Sequence, residues 1–286
     1  MTWTGSELAH PTTRIATVIP SLQPSERRVA ELILAEAESV VELTAQELAD
    51  RAGVARSTVV RTGQSLGYRG YPQLRVALTR ELAQAAGRDH DYGSSALGRI
   101  RADIDALADS LPQISAMLSA DAVDRAVTLI VDSARLLAVA NGLSAPLATD
   151  LSLRLTAIGR PTEYVGDAIG QQIAARQLGE RDACIIISGS GANESSLKAA
   201  RAVRASGATL VVVTSFASSP LVSLADVSLV IAPARATFRG ELEHTSRIPH
   251  VVLLESLVEV AASRLGDAVV ATRARVLDIL SDNLSD

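Results

Sequence analysis

The sequence lacks the long apolar segments of membrane proteins and the leader of secreted ones. Although 48% of its residues are hydrophobic, no run approaches the roughly 18 apolar residues of a transmembrane helix. The opening stretch MTWTGSELAHPTTRIATVIP has no basic segment followed by an apolar one, so we expect no secretion signal. These absences predict a cytoplasmic protein with no membrane partner.

The chain is also poor in cysteine and histidine. Its single cysteine, Cys184, lies within an apolar run, where a free thiol usually behaves as a small buried hydrophobe. Its four histidines, at positions 10, 90, 244 and 250, show no spacing typical of metal ligands. We therefore predict no metal site and no cofactor.

Charge is unevenly distributed along the chain. The formal net charge is −5, which by itself argues against nucleic-acid binding. Between Leu43 and Arg80, however, six arginines stand against two acidic residues, a local charge of +4. This pattern predicts a small basic module on an otherwise acidic protein.

The basic module has the periodicity of short helices. The first 23 residues show no sustained pattern and predict a frayed or partly helical arm. The stretch PSERRVAELILAEAESV then predicts an amphipathic helix with Ser25 as its N-cap. A short helix follows from about Ala45 to Ala52, where Thr44 and Glu47 form a capping box. After a turn at Gly53, another helix is expected to end near Leu66, and a further one runs from Tyr71-Pro72 to about Ala86.

The turn AGVARS between two of these helices is typical of a helix-turn-helix, whose second helix reads the DNA major groove. One face of that helix, with Val59, Thr62, Gly63 and Leu66, is expected to pack inside the module, although Gly63 costs about 1 kcal/mol relative to alanine. An ordinary helical hairpin with a solvated polar face remains the alternative. Side chains suited to guanine, adenine and phosphate lie on or beside the other face, and the predicted DNA-binding residues are Arg56, Ser57, Thr58, Arg61, Gln64 and Arg69.

A different pattern begins after Asp121, where apolar runs alternate with helical stretches. Continuous apolar strands joined by helical crossovers predict a parallel sheet covered on both faces. We expect an α/β sandwich of five strands, near residues 135–141, 162–165, 183–188, 209–215 and 227–232.

The stretch CIIISGSGANESSLKAA, residues 184–200, joins one such strand to a helix through serines and glycines. Helix N-termini at the carboxyl edge of a parallel sheet favour phosphate or carboxylate. A dinucleotide loop needs glycine where Glu194 stands, and a phosphate-binding loop of nucleotide hydrolases needs Gly-Lys-Ser/Thr, which is missing. An anion site for another ligand and a simple strand-closing turn both remain open.

Longer phrases of the chain resemble RpiR-type bacterial transcriptional regulators. In the amino-terminal half the likeness is carried by SERRVAELIL and by LTAQELADRAGVARSTVVRTGQSLGYRGYPQLRVAL, above all by Leu66-Gly67-Tyr68-x-Gly70-Tyr71. From about Ala120 to Leu265 the chain is similar to the sugar isomerase (SIS) domain, a phosphosugar-binding fold. Two residues depart from the family pattern: Thr62 replaces a large aromatic residue, and Asn193 replaces a threonine.

The resemblance implies an all-α helix-turn-helix domain over residues 1–88, a linker and connecting helix over 89–119, and an SIS domain over 120–286. It implies a non-enzymatic regulator of sugar-metabolism genes that binds double-stranded operator DNA. Because one small reading helix rarely supplies enough contact, we expect a homodimer or tetramer that reads a palindromic operator. The alternative function is a phosphosugar isomerase or lyase with an extra helical domain, for which His244, His250 and Glu255 are candidate acids and bases. The effector-binding residues implied by the resemblance are Ser144, Ser188, Ser190, Asn193, Thr214 and Ser215.

Overall fold

The structure is a computed structural model that describes residues 3, 5–6, 8–85, 92–231 and 246–283. The chain forms two compact units, and the main division between them falls after Leu118. The first three residues of the predicted linker, 89–91 with His90, and also His244 lie outside the described residues.

The amino-terminal unit is built from helices around one apolar core. Ile15, Ile33, Leu48, Val59 and Leu74 are fully buried in this core. The helices are α1 (Pro11–Val18), α2 (Pro24–Ala35), α3 (Ala37–Val40), α4 (Ala45–Ala52), α5 (Arg56–Ser65), α6 (Tyr71–Ala85) and α7 (Ala96–Ser110).

Most of these helices were predicted correctly from periodicity and capping residues in the sequence. The capping box of α4 is confirmed: the Thr44 hydroxyl accepts from the Glu47 amide, the Glu47 carboxylate accepts from the Thr44 amide, and Gly53 ends the helix in the left-handed conformation. Ser25 as the cap of α2 was wrong, because Pro24 already occupies the first helical position and Gln23 is the N-cap. Proline suits that position since its missing N–H would be unpaired there in any case.

The described part of the first 23 residues is partly helical, as predicted, but it is packed into the core rather than frayed. Helix α1 buries Ile15 completely, and the 3₁₀ turn Ile19–Ser21 that follows it buries Ile19. The sequence did not reveal that this segment packs in the core, because contacts with distant helices hold it in place rather than its own periodicity.

The carboxyl-terminal unit is the predicted five-stranded parallel sheet, with strand order β2-β1-β3-β4-β5. The strands are β1 (Leu136–Ala140), β2 (Glu163–Tyr164), β3 (Ala183–Ile187), β4 (Thr209–Thr214) and β5 (Val227–Val230). The helices are α8 (Ala120–Asp132), α9 (Ala145–Ala157), α10 (Ala168–Arg176), α11 (Glu194–Ser206), α12 (Ile248–Leu265) and α13 (Asp267–Asp282).

Helices cover both faces of this sheet. Alternate residues of β1, β3 and β4, among them Val139, Ile186 and Val212, share a core with α10 and α11. On the other side α12 packs against α8 and α9, which contact β5 and β1. This double cover explains why every residue of β1 and β3 is buried and why these strands read as unbroken apolar runs.

Helix α13 is largely exposed. Among its residues only Val269 is buried, while Val270, Leu277 and Leu280 are exposed. None of the helices that the structure describes is long and apolar enough to cross a membrane.

Candidate functional site

The first Ser/Gly loop, residues 188–193, lies at the carboxyl edge of the sheet, between β3 and α11. The Ser188 amide donates to the Val213 carbonyl at 2.9 Å, and the Gly191 amide donates back to the Ser188 carbonyl at 3.0 Å. Gly191 has a φ of +61°, which a residue with a side chain rarely adopts. The loop is therefore a tight turn in which glycine is needed.

The loop leads directly into a capped helix. The Asn193 side-chain oxygen accepts from the Ser196 amide at 3.1 Å and makes Asn193 the N-cap of α11. The Ser190 hydroxyl accepts from the Ala192 amide at 3.3 Å. Asn193 therefore caps α11, and the first turn of this helix supplies partial positive charge beside the loop.

The end of β4 supports the first Ser/Gly loop through a buried hydrogen bond. Thr214 and Ser215 are fully buried, and the Thr214 hydroxyl donates to the Gly189 carbonyl at 3.1 Å. This contact shapes the loop without presenting the hydroxyl to solvent. Ser188 is also buried, whereas Ser190 is half-buried.

The second Ser/Gly loop, residues 141–144, follows β1, the neighbour of β3 in the sheet. Gly142 has a φ of +58°, and Ser144 is buried where α9 begins. The Asn141 side-chain amide donates to the Gln171 side chain at 3.0 Å and to the Ser196 hydroxyl at 3.1 Å. Asn141 therefore ties the second loop to the first turn of α11.

Two further side chains press against the first Ser/Gly loop and were missed by sequence reasoning. A Cβ atom on Gly189 would collide with the guanidinium of Arg247, and one on Gly191 would collide with the side chain of Ser219. Ser219 is buried, and its hydroxyl has no hydrogen-bond partner among the described residues. Arg247 immediately precedes α12, so it brings a positive charge from a helix distant in sequence to the loop.

His250 lies one turn into α12 and is 1% exposed. In the part of the chain that the structure describes, neither ring nitrogen has a hydrogen-bond partner. Burial, with the nearby Arg247 charge, lowers its pKa from 6.5 to about 3. At neutral pH this histidine is uncharged, and no metal-binding cluster of His, Cys, Asp and Glu forms among the described residues.

Five of the six residues predicted to bind DNA are exposed on or beside α5: Arg56, Ser57, Arg61, Gln64 and Arg69. Thr58 differs, because it is 5% exposed and its hydroxyl accepts from Arg61 at 3.5 Å. The Arg61 guanidinium also lies 3.9 Å from the Glu26 carboxylate of α2. These contacts hold Arg61 at the surface of the helix.

The opposite face of α5 packs into the helical core as predicted. Val59, Thr62 and Leu66 are fully buried. The Thr62 hydroxyl donates to the Thr58 carbonyl at 2.9 Å, which satisfies this polar group in the interior. At the start of α6 the Tyr71 hydroxyl donates to the Val40 carbonyl at 2.7 Å and fixes α6 against α3.

Comparison with known proteins also distinguishes an amino-terminal helical part from a carboxyl-terminal α/β part. The chain matches the family model "Helix-turn-helix domain, rpiR family" over residues 12–85 and the model "SIS domain" over residues 129–257. An uncharacterized HTH-type transcriptional regulator of Caldanaerobacter subterraneus is 26% identical over 91% of this chain and 93% of that protein. The Bifunctional protein glk of Paraburkholderia xenovorans is 28% identical over 88% of this chain but only 40% of its own length.

Two solved structures share the fold. NanR of Vibrio vulnificus, complexed with ManNAc-6P, has a TM-score of 0.60 at 21% identity and covers 96% of this chain and 100% of its own. The sugar isomerase domain of an RpiR transcription factor from Sphaerobacter thermophilus has a TM-score of 0.53 at 22% identity, covering 65% of this chain and 96% of its own. With the two family models in this order, the chain belongs to the RpiR family of helix-turn-helix transcriptional regulators that carry a carboxyl-terminal SIS domain.

Proposed function

We propose that this protein is a DNA-binding transcriptional regulator whose SIS domain senses a phosphorylated sugar. The observation that carries the proposal is the first Ser/Gly loop, where the N-terminus of α11, the Ser190 hydroxyl and the Arg247 guanidinium meet. A helix N-terminus and a guanidinium both favour a phosphate group. An exposed α5 with arginine and glutamine supplies the complementary DNA-reading surface.

The effector proposal involves residues in two roles. Ser144, Ser188, Ser190 and Asn193 line or cap the two Ser/Gly loops, Thr214 supports the first loop, and Ser215 is the buried residue that follows Thr214. Arg247 adds the cation that the sequence-based set lacked. The phosphosugar ManNAc-6P is bound by NanR of Vibrio vulnificus, which makes this ligand class the first to test on this chain.

An isomerase or lyase remains the second candidate function, and the described residues favour it less. Such a reaction needs an acid or base whose pKa lies near the working pH. His250 has a pKa of about 3 and is buried, so it is a very weak base. Glu255 forms an ion pair with Arg154 at 2.7 Å. Turnover of a phosphosugar panel, measured beside binding, separates the two functions.

The regulator is expected to act in the cytoplasm as a homodimer or a dimer of dimers. One short reading helix rarely makes enough contacts for specific binding, and two-fold proteins read palindromic half-sites about one helical turn apart. Analytical sedimentation at micromolar concentration tests this assembly. A monomer that binds operator DNA tightly would contradict it.

The effector site is tested by Ser190→Asp. A carboxylate at this position is stabilised by the N-terminus of α11, so the fold should survive. It repels an incoming phosphate at short range, which can cost several kcal/mol. We expect operator affinity to become insensitive to added phosphosugar, either because the ligand no longer binds or because the charge imitates it.

Operator affinity is measured with and without the phosphosugar, in the native protein and in the variant. Ser223→Asp, which adds the same charge at an exposed position of the same unit, is the matched control and should keep the native response. An undiminished response in a folded Ser190→Asp protein would remove the first Ser/Gly loop from the effector site.

A further inference from the structure

Helix α7 carries an apolar stripe that nothing in the described chain covers. Leu97, Ile100 and Ile104 are 56%, 56% and 58% exposed, and Leu107, which is half-buried, continues the same side of the helix. The spacing of three, four and three residues is the alternation of a coiled-coil seam. A stripe of this kind on a soluble protein marks a surface that packs against a partner.

The charges of α7 are divided along its length. Arg99 and Arg101 lie in its first half, whereas Asp103, Asp105 and Asp109 lie in its second half. A parallel copy of this helix would set arginine beside arginine and aspartate beside aspartate. An antiparallel copy sets the basic half of each helix beside the acidic half of the other, which is favourable.

We propose that α7 packs antiparallel against α7 of a second copy of this chain. In this register Leu97 faces Leu107 of the copy, and Ile100 faces Ile104. Arg101 and Asp105, four residues apart, lie on one side of the helix. The two-fold axis lies perpendicular to the helices and leaves the Arg101 and Asp105 side of both copies on the same side of the pair. Arg101 of each chain therefore lies near Asp105 of the other.

This inference rests on the homodimer proposed above but is independent of the effector. It assigns one contact of that homodimer and requires others, since a single pair of fifteen-residue helices is short for a stable dimer by itself. Failure of the α7 contact would leave the phosphosugar proposal untouched, because Ser190→Asp tests a different unit of the chain.

The test uses the full chain with one added cysteine, as Leu97→Cys and Leu107→Cys variants that carry tags of different size; in the antiparallel register each of these positions lies about 15 Å along the helix axis from its own copy. The background is low because Cys184, the only native cysteine, is buried, and burial raises the pKa of its thiol. The two variants are mixed, allowed to exchange subunits and treated with a short thiol-to-thiol cross-linker. Ala106→Cys, exposed on the other side of α7, replaces Leu107→Cys in the control mixture.

The expected product contains one chain of each size, and the control mixture should give little of it. A dimeric chain that forms no such product would show that α7 is outside the interface. Equal cross-linking of each variant with itself would indicate parallel helices, and a monomer in sedimentation would exclude the contact. Each of these three results overturns the proposal.

A charge exchange gives a second readout of the same register. Arg101→Asp and Asp105→Arg should each lower the fraction of dimer. Mixing the two variants should recover it as a heterodimer, because opposite charges are then restored only between the chains, while the hydrogen bond from Tyr92 to Asp105 within one chain is the same before and after mixing. Failure of the mixture to form the heterodimer, with each single variant impaired, would argue against the antiparallel register.

Discussion

Gly63 is a residue whose role could be seen only in the folded chain. A Cβ atom at this position would lie 2.9 Å from the Gly70 carbonyl carbon and 3.1 Å from the Tyr71 amide nitrogen. Both neighbours are backbone atoms, which cannot rotate away. The glycine that weakens α5 locally is therefore the residue that lets the start of α6 approach it.

The first prediction follows from this contact. Alanine at position 63 gains about 1 kcal/mol of helix propensity, but overpacking against backbone costs about 1–3 kcal/mol. We expect Gly63→Ala to lower the free energy of unfolding by on the order of 1 kcal/mol, measured by denaturant titration. Gly70→Ala is the control, because its Cβ would meet only ordinary contacts at 3.8 and 3.9 Å; equal stability of the two variants would contradict the argument.

The second prediction concerns the pH dependence set by His250. Its pKa falls from 6.5 to about 3 on folding, so both states are neutral above pH 6.5 and contribute no slope there. Between pH 6.5 and 3 the unfolded chain binds a proton that the folded chain does not, and the free energy of unfolding decreases as the pH is lowered. His250→Leu should flatten the pH slope of stability in this window, whatever its effect on stability at pH 7.

Denaturant titrations at several pH values between 4 and 7 measure that slope. His10→Gln is the matched control, since His10 lies in the amino-terminal unit and is partly exposed. If the slope were unchanged in His250→Leu, protonation of His250 would not be coupled to unfolding.

At the scale of elements, the first Ser/Gly loop depends on the strand beside it. Strand β4 ends in Thr214, whose hydroxyl holds the Gly189 carbonyl. Neighbouring parallel strands thus do more than place two loops at one edge of the sheet. One strand end provides the loop, and the next provides the hydrogen bond that shapes it.

The third prediction tests this support with Thr214→Val. Valine keeps the shape of threonine but removes the donor, so we expect a loss of about 1 kcal/mol in unfolding free energy together with weaker phosphosugar binding. Thr209→Val changes the opposite end of the same strand and should leave ligand affinity near the native value. Calorimetric titration with the phosphosugar compares the two variants, and equal affinities would remove Thr214 from the support of the loop.

At the scale of the whole molecule, the protein combines an exposed basic helix, the one proposed to read DNA, with a negative net charge. The net charge is −5, yet α5 exposes Arg56 and Arg61, and Arg69 follows it. Association with DNA therefore depends on how the charge is distributed rather than on its sum. Salt dependence of operator binding reports the number of phosphate contacts that this surface makes.

The fourth prediction is that Arg61→Ala weakens operator binding while phosphosugar binding stays intact. The loss is on the order of 1–3 kcal/mol if Arg61 contacts a base, whereas the salt dependence flattens by about one unit if it contacts a phosphate. Arg273→Ala removes an exposed arginine that pairs with Glu259 in the carboxyl-terminal unit and should change neither quantity. A native operator affinity in folded Arg61→Ala protein would place Arg61 outside the interface.

The sequence alone determined the features that depend on near neighbours. The capping box of α4, the left-handed turn at Gly53 and the buried strands β1, β3 and β4 each follow from residues within a few positions of one another. Local hydrogen bonds and hydrophobic periodicity are properties of a short segment, so they can be predicted from the sequence of that segment. The Ser/Gly loop before α11 was visible for the same reason.

Only the tertiary structure decided which distant residues meet. Packing against later helices makes α1 part of the core, and it turns Thr58 inward while its neighbours Arg56 and Ser57 stay exposed. Arg247 and Ser219 reach the first Ser/Gly loop from segments far along the chain. No local pattern marks such residues, because their positions are selected by the long-range burial of apolar surface that brings whole elements together.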